Sequence, residues 1–154
     1  MALAVATVNA QLIEVVMGSA LCVENYANYD VDWYMMNASS YATQSASVST
    51  APSATTCESL SSFINGGAQQ NFDYQLHVSY TNPSDSSENV SEPVWPFIEY
   101  SSDGPSITYV CGMQVGQYGD YFCCCNPGNP TYYCEWTDTI IYSECISPAS
   151  AVQQ

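Results

Sequence analysis

An all-β fold is predicted for this 154-residue chain by three observations: short runs that alternate apolar and polar residues, turn signals between them at regular intervals, and eight cysteines. The clearest run is Asn71 to Thr81. Phe72, Tyr74, Leu76, Val78 and Tyr80 fall on one face there, and Asp73, Gln75, His77 and Ser79 on the other, the period of a half-buried strand. About eight or nine such runs, joined by Gly, Pro, Asn and Asp turns, argue for an antiparallel β-sandwich, Ig-like or jelly-roll-like, stabilised by disulfides.

Taken in order, the first ten residues, MALAVATVNA, are apolar and uncharged. They lack the basic start and the length of a signal peptide, yet Val8 and Ala10 have cleavage-site spacing before Gln11. Residues 1–10 are therefore expected to be an assembly arm or a signal remnant, and residues 11–154 a single β-sandwich domain. Strands are expected at 12–18, 20–25, 31–37, 71–81, 94–100, 106–113, 120–125, 131–136 and 139–146, all filled by the β-branched and aromatic residues that suit a pleated surface. Residues 39–56, rich in Ser, Thr and Ala, read as a β-edge, a flexible loop or an O-glycosylated surface. Residues 57–64 suit one or two helical turns before Gly66. Asn65-Gly66-Gly67, Asn82-Pro83-Ser84-Asp85, Ser102-Asp103-Gly104-Pro105, Gly116 to Gly119 and Asn126 to Pro130 mark turns, and 84–92 reads as an acidic loop.

The charge balance excludes several functions. There is no Lys and no Arg against 15 acidic residues and one histidine. Without cations the chain has no means of gripping phosphates, so nucleic-acid binding by the usual electrostatic route is excluded. Schiff-base chemistry, arginine clamps and Lys/Arg salt bridges go with it. Trypsin-like proteases have no side chain to bind. No stretch reaches the roughly 18 apolar residues of a membrane-spanning helix, so membrane insertion is not expected.

The cysteines are Cys22, Cys57, Cys111, Cys123, Cys124, Cys125, Cys134 and Cys145. Their spacing is not the repeated C-x-x-C of a structural zinc site, and no cationic neighbour is present to activate a thiolate. All eight are expected in disulfides, which places the chain in an oxidising compartment and makes it a secreted, extracellular protein. A hairpin turning near Gln117 and Tyr118 puts Cys111 opposite Cys124. The same alternation sends Cys123 and Cys125 to the other face, where they are expected to reach Cys22 and Cys57 in an opposite sheet. Cys134 and Cys145 share the face of Cys124.

Two sequons, Asn37-Ala38-Ser39 and Asn89-Val90-Ser91, are candidate glycosylation sites. Asp30 and Asp32 put two carboxylates on one strand face, and Asp85, Glu88 and Glu92 cluster in a loop. Ca²⁺ is the one ion these acids suggest, though neither set has the spacing of an EF-hand loop. Otherwise no cofactor and no resident metal is expected. His77 is the only group that ordinarily titrates near neutrality, and it lacks a partner set for catalysis. The chain is therefore not expected to be an enzyme. Thirteen tyrosines and three tryptophans suit packing or an adhesive surface. These features together predict a secreted structural or interaction protein, a self-assembling subunit of an extracellular filament, coat or matrix. A carbohydrate-binding, lectin-like module using exposed Tyr and Trp, with or without Ca²⁺, is the alternative.

Overall fold

The computed structural model describes residues 15–81, 89–94, 96–116, 119–126, 132–136 and 139–143. The proposed arm, residues 1–10, lies outside them. The described chain is all-β: β1 (Val15–Gly18), β2 (Ala20–Asn25), β3 (Val31–Asn37), β4 (Val48–Thr50), β5 (Thr55–Ser59), β6 (Asp73–Thr81), β7 (Asn89–Pro93), β8 (Phe97–Tyr100), β9 (Ser106–Gly116), β10 (Gly119–Cys125), β11 (Tyr132–Trp136) and β12 (Thr139–Ser143). The one described helix is α1 (Leu60–Phe63). It is shorter than the run 57–64 suggests, because Cys57 to Ser59 pair with β2 as part of β5 instead of coiling.

Sheet A has the order β1-β8-β6-β3-β4, with β7 also on β6. Sheet B has the order β10-β9-β2-β5, and β11 pairs with β12 alone. Both sheets are mixed, which corrects the purely antiparallel arrangement expected from the turns. β1 runs parallel to β8 in sheet A, and β2 runs parallel to β9 in sheet B. The reason is that two chain segments cross from one sheet to the other side by side. β1 continues into β2 through Ser19, and β8 continues into β9 through residues 101–105. Both run in the same sense, so each pairing between them must be parallel.

Glycines make that seam possible. A Cβ on Gly104 would lie 2.9 Å from the Gly18 Cα, and one on Gly18 would lie 2.6 Å from Ile107 Cγ1. The two backbones touch, and only residues without a Cβ allow it. Across the contact Ser19 N donates to the Pro105 carbonyl at 3.0 Å, Ser101 N to the Gly18 carbonyl at 3.0 Å, and Ser19 Oγ to the Gly104 carbonyl at 2.6 Å.

Both sheets feed one apolar cluster. β3 supplies Val31, Trp33 and Met35, β6 supplies Tyr74, Leu76 and Val78, and β2 supplies Leu21 and Val23. Tyr109 of β9 and Phe122 of β10 complete its centre. Each large apolar side chain removed from water there contributes about 2 kcal/mol. Polar groups inside are matched. Trp33 Nε1 donates to Thr50 Oγ1 at 2.9 Å, and the Tyr109 hydroxyl donates to the Pro96 carbonyl at 2.7 Å. Asn25, almost wholly buried, donates through Nδ2 to the carbonyls of Tyr29 and Thr50 and accepts from Ala27 N. It thereby fixes the β2–β3 turn and ties β2 of sheet B to β4 of sheet A. Phe72 departs from its expected inward face: it precedes β6 and stays 47% exposed.

Candidate functional site

Three features of the surface could carry function, and each follows from the alternation of its strand. The first is the outer face of sheet A. With Trp33, Met35, Leu76 and Val78 turned inward, Tyr34, Met36, Gln75 and His77 turn to the opposite face, where Gln75 is buried and the other three are half-buried. In register Tyr34 stands opposite His77, and Met36 opposite Gln75. The Tyr34 and His77 rings stack, with centroids 5.3 Å apart and 29° between planes, and the Tyr34 hydroxyl shares a 3.2 Å hydrogen bond with His77 Nδ1. The histidine is thus half-buried, not a bare strand residue, and burial pulls its pKa below the usual 6.5.

Farther along the same face Asp73 of β6 stands directly opposite Glu99 of β8, and Glu99 stands opposite Met17 of β1. Two like charges are adjacent, and Asp73 Oδ1 is buried with no hydrogen-bond partner. Neither residue stands out from the sequence, because their pairing depends on a register that no local turn sets. Asp30 and Asp32, the pair suggested for Ca²⁺, are both exposed. Among the described residues no group of three or more potential ligands surrounds a metal position. Asp85 and Glu88 lie outside the described residues, and Glu92 contributes its backbone to β7 opposite Val78.

The second feature is the pair of cross-strand disulfides in sheet B. Cys111 and Cys124 face each other across β9 and β10 and are bonded, as the hairpin register requires. Both are buried in the core. Cys22 and Cys57 are bonded to each other across β2 and β5. This overturns the expectation that they accept Cys123 and Cys125 from an opposite sheet: β2 and β5 belong to the same sheet as β9 and β10, and Cys57 stands directly opposite Cys22. The bridge lies on the outer face, with Cys57 exposed and Cys22 Sγ 3.5 Å from Ser106 Oγ. Cys125 is buried and disulfide-bonded. The side chains of Cys123 and Cys134, and Cys145 altogether, lie outside the described residues.

The third feature is the set of sheet edges. Among the described residues of the two sheets, β1, β4, β5, β7 and β10 each pair on one side only. β4 has three residues. β5 places Glu58 opposite the buried Leu21, so a carboxylate points toward the core side and discourages a further strand. β1, with the sequence VVMG, carries neither charge nor proline, and its Met17 is 53% exposed.

The sequons differ in setting. Asn37 closes β3 and opens an exposed turn, whereas Asn89 begins β7 opposite Thr81. Three tyrosines serve the interior: Tyr74, Tyr100 and Tyr109 are buried, and burial pushes the Tyr109 hydroxyl far above its ordinary value. Tyr29, Tyr80 and Phe122 cluster between the sheets, with Tyr80 and Phe122 centroids 4.5 Å apart. Tyr26 donates to Glu24 Oε2 at 3.1 Å, and its pKa is raised by burial and then by that carboxylate. Among the tyrosines whose side chains are described, Tyr41 stands well out, at 68% exposure.

No protein-family model, no curated protein and no solved structure matches this chain. Its function must be read from its own surfaces. The disulfides accord with an oxidising, extracellular setting, and no helix of the described residues is long and apolar enough to cross a membrane.

Proposed function

We propose that the chain is a secreted structural subunit that self-assembles into an extracellular filament, coat or matrix, with its two mixed sheets forming a disulfide-stapled sandwich. The observation that carries this reading is the uncharged edge of β1. Exposed edge strands invite pairing with another chain and are normally blunted by lysine, proline or an inward charge. β5 has the inward charge, and β1 has none of these. A strand laid along β1 would gain main-chain hydrogen bonds and cover Met17.

The occupant is the apolar segment at residues 1–10 of a neighbouring copy, whose composition asks for burial. The absence of Lys and Arg, and with them of trypsin-like cleavage sites, and the disulfides suit a durable, secreted polymer. Deleting residues 1–11 tests the mechanism. The truncated protein is expected to sediment as a folded monomer under conditions where the full chain polymerises. Assembly that persists unchanged removes the arm from the mechanism.

A second reading, a glycan-binding module, is favoured by the Tyr34–His77 stack on the outer face of sheet A, since a flat ring beside hydrogen-bonding atoms can hold a sugar. A glycan array probed with and without chelator separates it from the first. Binding abolished by Tyr34→Ala supports this reading, and an array without hits removes it.

A further inference from the structure

We propose that Asn37 carries an asparagine-linked glycan, and that the exposed ring of Tyr41 is the surface on which its first sugar rests. This inference needs export to a glycosylating compartment and is independent of whether the chain polymerises.

The turn after β3 presents the acceptor. Asn37 Oδ1 accepts the amide N–H of Ser39 at 2.9 Å and of Ser40 at 3.0 Å, which pins the planar carboxamide by its oxygen. Its Nδ2, the atom that would take the sugar, lies on the other side of the group. The backbone is fixed as well: Asn37 N donates to the Ala42 carbonyl and Tyr41 N to the Asn37 carbonyl, each at 2.9 Å. Ser39, which completes the sequon, is exposed.

Tyr41 supplies the independent observation. It holds a φ of 59°, in the left-handed region. That conformation costs a non-glycine residue about 1–2 kcal/mol, and a turn needing it ordinarily uses Gly or Asn. Here the position is occupied by an aromatic residue whose ring stands in water beside a sequon. A sugar's C–H face against that ring would bury apolar surface on both. Both sequons have their backbone at the end of a ladder, Asn37 opposite Tyr74 and Asn89 opposite Thr81; the hydrogen-bonded turn and the exposed ring are the observations that single out Asn37.

In chemical terms the Nδ2–C1 bond forms as the C1–O bond of a lipid-linked oligosaccharyl phosphate breaks; the lipid phosphate leaves with that oxygen and the bonding pair, the proton lost from Nδ2 goes to a base of the transferase, and no oxidation state changes. The donor is supplied by the compartment, not by this chain.

The test is to secrete the full chain from a host with asparagine-linked glycosylation, beside a known glycoprotein as control, and map glycopeptides by mass spectrometry. A protease that cuts at aromatic residues is needed, because the chain has no Lys or Arg. Occupancy is expected at Asn37, lost in Asn37→Gln and in Ser39→Ala. In Tyr41→Ala the glycan is expected to remain attached, but the rise in melting temperature it confers over the enzymatically deglycosylated protein disappears. An unmodified Asn37 beside a modified control overturns the site. A glycan-dependent rise that survives Tyr41→Ala overturns the role of the ring.

Discussion

Sheet B carries two mapped cross-strand disulfides, one on each of its faces, whereas sheet A, among its described residues, carries none. Sheet A buries Trp33, Met35, Leu76, Val78, Ile98 and Tyr74, while sheet B ends on β5, a strand of Thr, Cys, Glu and Ser with little to bury. The Cys22–Cys57 bond sits on that thin edge, whereas Cys111–Cys124 lies within the apolar cluster that also holds Tyr109 and Phe122. In a chain without Lys or Arg, no ion pair from those residues could take their place.

The comparison also separates the two bridges from each other. The Cys22–Cys57 bond spans 35 residues and Cys111–Cys124 spans 13. Loop-closure entropy alone favours the longer loop by only about 0.9 kcal/mol. Burial should outweigh that. Replacing Cys111 and Cys124 together by Ser is expected to destabilise more than replacing them by Ala, by about 2 kcal/mol or more, because two hydroxyls would be left in the core without partners. For Cys22 and Cys57 on the outer face the Ser and Ala pairs should agree within about 0.5 kcal/mol. Urea unfolding of the four variants measures both differences. An outer pair as sensitive to Ser as the inner one would break the assignment of faces.

The next largest effect concerns the seam that joins the sheets. Gly104→Ala should cost about 2 kcal/mol, since its Cβ meets backbone that cannot swing aside. Gly18→Ala should cost less, because its closest contact is the Ile107 side chain. Thermal melts of the two variants rank them, and a neutral Gly104→Ala contradicts the close approach.

On sheet A the outer face makes stability depend on pH. The folded pKa of His77 lies below 6.5, so between those two values the unfolded chain binds more protons than the folded one. Stability from this residue is therefore present above pH 6.5 and is lost as the pH falls through that window. His77→Gln should remove that limb from a plot of urea midpoint against pH, and NMR titration should place the histidine below 6.5. The smallest effect is expected from Asp73→Asn, which relieves the charge facing Glu99. A gain of about 0.5 kcal/mol at neutral pH, shrinking as salt is added, is the expected outcome in melts at two ionic strengths.

The parts of this fold that were legible in the sequence are those set by local chemistry. β2 and β3 begin and end where their alternation does, and the Cys111–Cys124 pairing follows from one short hairpin whose turn fixes the register. The Ser/Thr-rich β4 and β5 and the polar sequence of β7 show no apolar period, so their strands depend on neighbours distant in sequence. Cys22 finds Cys57 through such a pairing, and Asp73 finds Glu99 in the same way. The parallel seam was hidden for a further reason: turn signals report reversals of direction, and the crossing from sheet A to sheet B at Gly18–Ser19 is not a reversal. Of the candidate surfaces, Asn37 and the outward His77 could be read directly. The position of β1 at the edge of sheet A among the described residues required knowing which strand lies outermost.

Electron microscopy of the full chain and of Met17→Lys, compared at neutral pH and in acid where carboxylate repulsion is relieved, tests the assembly reading most directly. Met17 is exposed, so the substitution leaves the core intact while placing a charge on the β1 edge. The full chain should form ordered polymers, most readily in acid, and the variant should remain as folded single particles. Polymers of equal length and order from both proteins, or single particles from the full chain under every condition, would contradict it.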